Sequence, residues 1–224
     1  MEPLEFYIIF VRILVPFCGL ILSLMNLQYE LKRTKELKNT CANLGWEFSK
    51  KGKKAQLNNL LHFYLFALGS AKKINNLIYS KTNELNTAIF DYQTQISGSK
   101  TIATVVYFRS PQLDLPNFNL LRKPYLPGNT FSDREVTLSL NAEFSEKYAL
   151  LSDDEAAVRA LFSDRLIDYL AQKKALNIEG SGDRLVIYAA NGMVKAERIE
   201  AFLEEGKRIL ELFHESSKQN NLIA

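Results

Sequence analysis

Few side chains in this 224-residue sequence have the type and spacing that chemistry needs. Gly180-Ser181-Gly182 has the composition of a phosphate loop. Such a loop must open a helix, so that backbone N–H groups face the anion. Here Leu185-Val-Ile-Tyr188 follows, which reads as a strand, so the glycines read as a hairpin turn. Metal ligands must cluster, yet His62 and His214 fall in different elements, and neither has a second His or Cys at ligand spacing. A nucleophile–base pair of Cys41 with either histidine has no local support. Asp153, Asp154 and Glu155 suit a helix N-terminus. No catalytic residue, metal or cofactor is expected.

Asp91 is the acid of most interest. It sits in an alternating run that puts Ala88, Phe90, Tyr92, Thr94 and Ile96 on one face. If the aromatics face the core, Asp91 lies on the opposite face with Gln93 and Gln95. That open face, or an exposed sheet edge, is where an unidentified protein partner is expected, with Asp91, Gln93 and Gln95 as candidate contacts. The plainer expectation for Asp91 is a solvated or arginine-paired strand carboxylate. An exposed acid contributes at most about 1 kcal/mol, so Asp91→Ala is expected to leave the fold intact.

The elements that position these residues alternate in type. Leu27 to Asn39 continues a helix as a charged, solvated segment, Asn43–Phe48 is strand-like, and Lys50–Lys54 is a loop. Gln56 to Leu68 fits helix or strand. Ile74–Tyr79, Leu85–Ile96 and Thr101–Phe108 read as strands, the last two as a hairpin through Ser97-Gly98-Ser99-Lys100. Pro111, Pro116, Pro124 and Pro127 mark an irregular connection, and Glu135–Leu140 another strand. Ser152 to Glu155 has the form of a capping box, and Ser163 is a candidate cap for a following helix. A hairpin over Leu176–Glu179 and Leu185–Tyr188 leads to an amphipathic helix from Lys195 to Glu215. Strands, then helix, hairpin and helix, argue an α+β fold with a mainly antiparallel sheet and packed helices.

The segment from residue 6 to 27 is apolar except for Arg12, about the ~20 residues a helix needs to cross a bilayer. Arg12 lies near enough to one end for its guanidinium to reach the interface, and Pro16 is tolerated in a membrane helix. Only Glu2 and Glu5 precede the span. Lys32, Arg33, Lys35 and Lys38 follow it, then Lys50, Lys51, Lys53 and Lys54. Positive flanks stay in the cytosol, so the N-terminus is expected outside and the C-terminal domain cytoplasmic. Lys32, Arg33, Lys35 and Lys38 are candidate contacts for anionic lipid headgroups. The net charge of +3 is too small to point to nucleic acid. The expected organisation is a membrane anchor over 1–28, a basic linker over 29–54, an α+β domain over 55–217 and a tail over 218–224. Residues 43 to 217 are expected to fold alone.

Several short motifs occur in order: Phe66-x-x-Gly69, Phe90-Asp91-Tyr92, Ser97-Gly98-Ser99-Lys100, Leu115-Pro116-x-Phe118-x-Leu120, Phe144-Ser145-x-x-Tyr148, Val158-Arg159-x-Leu161-Phe162 and Ile178-Glu179-Gly180. In these the chain resembles a family of bacterial membrane-anchored proteins of unknown function. The resemblance implies a membrane-linked domain behind an apolar N-terminus, and brings no activity, cofactor or catalytic residue with it. The chain is thus expected to be a non-catalytic interaction module. An enzyme of unfamiliar type and an anionic-lipid surface sensor are the alternatives.

Overall fold

A single helix, α1 (Pro3–Leu44), contains the apolar run and continues past it without interruption. The computed structural model describes residues 3–123, 135–138, 141–173, 176–190 and 192–221. From Leu14 to Leu31 the apolar side chains of α1 are exposed, Phe17 at 58% and Met25 at 60%. The helix is long and apolar enough to cross a membrane. Gly45 ends it at φ +68. Gly45 N–H donates to the Ala42 carbonyl and Trp46 N–H to the Cys41 carbonyl, the two bonds of a Schellman motif. The strand expected at Asn43 therefore starts later, as β1 (Glu47–Lys51).

The remaining strands are β2 (Ser70–Lys81), β3 (Asn86–Ile96), β4 (Ser99–Arg109), β5 (Leu115–Arg122), β6 (Tyr148–Leu151), β7 (Leu176–Gly182) and β8 (Arg184–Ala189). They form an eight-stranded sheet in the order β1-β2-β3-β4-β8-β7-β5-β6, with antiparallel pairing throughout. Ser97 and Gly98 both take positive φ at the β3–β4 turn, which matches the right-handed twist of the paired strands. The helices are α2 (Lys54–Asn58), α3 (Tyr64–Ala67), α4 (Ala142–Lys147), α5 (Glu155–Leu161), α6 (Asp164–Ala171) and α7 (Ile199–Asn221). This is the α+β architecture read from the sequence.

Both faces of the sheet are covered. On one, Ile78, Ile89, Val106, Phe108 and Ile187 pack with Leu37 and Cys41 of α1 and with Ile199, Leu203 and Phe213 near and within α7. On the other, Phe90, Tyr92 and Val105 pack against Leu60, Phe63 and Phe66. The hairpin face expected to lie open is therefore covered by α1 at Asp91, a long-range contact invisible to a period-2 pattern, and opens only towards the turn, where Gln95 is exposed. Residues 29–54, expected as a linker, supply buried side chains and an edge strand.

Three other local expectations change. The stretch Gln56–Leu68 resolves into the short helices α2 and α3. β5 lies inside the proline-marked connection, with Pro116 where the pairing register shifts between Leu115 and Phe118, the kind of site a strand proline occupies. The cap of α5 is Asp154, whose side chain accepts from Ala157 N–H. Ser152 instead donates to the Asn117 carbonyl at 2.7 Å. Of the strand expected over Glu135–Leu140, Glu135 bridges Leu151, whereas residues 139 and 140 lie outside the described residues.

Candidate functional site at the foot of the long helix

Arg33, Leu37 and Cys41 stand four residues apart, on one side of α1. That side is buried, at 5%, 2% and 2% exposure. Lys32, Lys35 and Lys38 point elsewhere and are exposed. Arg33 thus departs from the lipid contact expected of it and enters the sheet. Its Nε donates to Asp91 Oδ2 at 2.8 Å and its Nη2 to Asp91 Oδ1 at 2.7 Å, the paired-fork geometry that binds a carboxylate most strongly. Its Nη1 donates to the Val194 carbonyl at 2.8 Å.

Asp91 is buried, not solvated, and among the alternatives for it the arginine-paired one describes the geometry. Asn76 Nδ2 donates to its Oδ2 at 2.9 Å and Thr104 Oγ1 to its Oδ1 at 3.2 Å. Thr34 of α1 donates to Asn76 Oδ1 at 2.8 Å, and Val194 N–H to Thr104 Oγ1 at 2.9 Å. Asn76 reaches Asp91 because the β2–β3 register shifts between Asn75 and Ile78, a bulge that re-aims a side chain. Asn76 takes φ 50 there, a conformation asparagine tolerates better than most residues. Burial pushes the Arg33 guanidinium down, and its bond to and attraction for Asp91 more than reverse this. Of the other candidate contacts, Gln93 is half-buried and Gln95 exposed, where its Nε2 donates to the Gly98 carbonyl.

Beside the ion pair runs a groove of ≈ 820 Å³. Its lining extends from Asn26 and Leu27, where the apolar run ends, to Arg33 and Asp91. Lysines of β1, β2, β4 and the β1–α2 turn line it as well.

A second polar centre lies on the other face of the sheet. Glu179 of β7 is fully buried, and accepts from Tyr64 N–H at 2.6 Å and Leu65 N–H at 3.0 Å. Burial pushes its carboxyl up to about 7 against the pull of those bonds and of the Tyr188 hydroxyl. Sequence reasoning missed Glu179 because, at the end of a hairpin strand, nothing local distinguishes a buried acid from a solvated one. Its signal was an acid among Ile178, Gly180 and other strand residues. The adjoining Gly180-Ser181-Gly182 does form a hairpin: the turn is Gly182-Asp183, with Gly182 at φ +54. Gly180 lacks a Cβ because one would stand 2.2 Å from the Phe118 ring. His62 is exposed, while His214 is half-buried on α7. Cys41 Sγ donates to the Trp46 carbonyl at 3.0 Å, and burial pushes its thiol up. Among the described residues, no three His, Cys, Asp or Glu side chains come together in a metal-binding group.

The missed signal for the ion pair was the spacing Arg33-x3-Leu37-x3-Cys41, a buried helical stripe in a segment dominated by charge. No protein-family model matches the sequence, and neither does any curated protein. Among solved structures, the chain is similar to the crystal structure of the mycobacterial trehalose monomycolate transport factor A, TtfA. The TM-score is 0.58 at 13% identity, over 82% of this chain and 93% of that one. At that identity, the likeness is one of fold.

Proposed function

We propose that the chain is a single-pass membrane protein with its N-terminus outside and its α+β domain on the cytoplasmic side. In this reading it acts as a non-catalytic accessory factor that holds a protein partner. The observation that carries the reading is the uninterrupted α1, whose apolar part leads directly into the Arg33–Asp91 pair. A tethered enzyme acting on soluble substrates needs only a flexible linker. A helix fixed inside its domain by a buried ion pair instead sets the orientation of that domain to the membrane, which serves docking. The positive flank of the span supports the orientation. The fold shared with a transport factor supports an accessory role beside a transport process, by analogy alone. The family of bacterial membrane-anchored proteins indicated by the ordered motifs fits the same reading.

Inserting a flexible Gly-Ser segment after Leu27 tests this, because it keeps span and domain while freeing their relative orientation. Cross-linking and purification of the intact protein from membranes should recover a partner that the insertion variant loses. Equal recovery would remove the argument from rigid mounting, and turnover in a broad substrate screen would replace the accessory reading by an enzymatic one. For orientation, Lys38→Cys in a Cys18→Ser background offers an exposed thiol, unlike the buried Cys41. An impermeant thiol reagent should leave it unlabelled on intact cells, and prompt labelling would reverse the topology.

A further inference from the structure

The groove beside Arg33 has a composition that the accessory reading does not use. Seven of its lining residues are lysines and two are acids. Both acids are engaged: Asp91 with Arg33, and Glu30 with Lys100 at 2.8 Å. Lys72 donates to the carbonyls of Phe66 and Ala67. Among the described residues, no carboxylate pairs with Lys50, Lys51, Lys53, Lys54 or Lys73. Five like charges around one concavity repel one another, and the field they focus there favours an anion. The groove is not wholly polar, since Leu31, Leu57, Ile74, Ile102 and Met193 also line it.

Its position selects the anion. The headgroup layer on either side of the hydrocarbon is about 5–8 Å deep. Asn26, Leu27, Tyr29 and Glu30, which line one end of the groove, cover about 6 Å of helix. If α1 spans the bilayer with its apolar run, that end of the groove opens inside the headgroup layer. We propose that the groove seats the phosphate-bearing headgroup of an anionic phospholipid from the leaflet at which the span ends. The lysines pair with the phosphate, while Leu31, Leu57 and Met193 lie against the glycerol and the first methylenes. The seat is distinct from Lys32, Lys35 and Lys38, which lie on the exposed sides of α1. A lipid held there would touch α1 and the sheet together and brace the helix at the point where it leaves the membrane.

This inference rests on the spanning reading, and the test separates the two. The full chain is reconstituted in nanodiscs of phosphatidylcholine alone and in nanodiscs enriched in phosphatidylglycerol. Acylation of each lysine by an amine-reactive reagent is then followed by peptide mass spectrometry. Lys50, Lys51, Lys53, Lys54 and Lys73 should react about fivefold or more slowly in the anionic discs, with Lys81 at the far end of β2 unchanged. A variant carrying Lys53→Gln, Lys54→Gln and Lys73→Gln should keep its circular dichroism melt, yet lose the protection of Lys50 and Lys51. Equal rates in both discs, or the same slowing at Lys35 and Lys38 as in the groove, would overturn the headgroup seat while leaving the span intact. Failure to enter either disc would overturn the spanning reading and the seat with it.

Discussion

Asp91 and Glu179 are both buried in the same sheet, at 4% and 0% exposure, on opposite faces and held by different means. Asp91 meets a full positive charge brought from 58 residues away. Among the described residues, Glu179 meets only dipoles: two backbone N–H groups at the start of α3 and the hydroxyl of Tyr188. A buried carboxylate facing a guanidinium becomes a tie between elements, because removing either partner strands a charge away from water. One facing dipoles alone is left with its ionisation close to neutrality, and becomes sensitive to pH. The first arrangement joins the long helix to the domain, and the second holds a short loop over the other face.

The largest expected effect breaks the tie by truncation. A chain starting at Asn43 loses Arg33, Leu37 and Cys41 together, a loss comparable with the whole stability of a domain, about 5–15 kcal/mol. A chain starting at Leu27 keeps all three and should melt cooperatively, where the shorter one does not. If both melt alike, α1 is not part of the fold. This reverses the expectation that residues 43 to 217 suffice.

Next in size is Asp91→Ala, which should cost about 3–5 kcal/mol by leaving Arg33 buried without its partner. That is well above the cost expected of an exposed acid. The double variant Arg33→Met, Asp91→Leu should recover most of the loss in denaturant titrations, since no charge is then stranded. A double variant as unstable as the single one would mean that the hydrogen bonds of Asn76 and Thr104, rather than the charge, hold the site.

Glu179 gives a pH effect of opposite character. Its folded carboxyl, pushed up to about 7 from the ordinary 4.5, holds its proton more tightly than the unfolded one. The resulting stabilisation is complete below about pH 4.5 and is lost as pH rises to about 7. The stability difference between the parent and Glu179→Gln should therefore fall by about 3 kcal/mol across that window and level off above it. A difference that stays flat from acid to neutral pH would show that the three hydrogen bonds overcome burial.

The smallest effect is the control on the outer surface. Lys100 and Glu30 also join β4 to α1, at 2.8 Å, but with side chains 48% and 58% exposed. Lys100→Ala should cost less than about 1 kcal/mol. A larger loss would mean that solvent is excluded there too, and that the tie extends beyond Arg33.

Local chemistry was legible in the sequence wherever neighbours in the chain decide it. The apolar run before Leu27, the Ser97-Gly98 turn, the hairpin around Gly180–Asp183 and the alternation of β3 each depend on interactions over a few residues. Their pattern survives without knowledge of the rest. Tertiary structure decided what covers each face. A period of two places Asp91 opposite Phe90 and Tyr92, and in the structure it lies there. Whether water or a helix lies on that side depends on where α1 returns, and no local rule carries that. Arg33 shows the same limit, for in sequence it is one of several cations behind an apolar run. Only packing separates it from Lys32 and Lys35, because a guanidinium enters the interior when the Asp91 carboxylate, the Thr104 hydroxyl and the Val194 carbonyl meet it there.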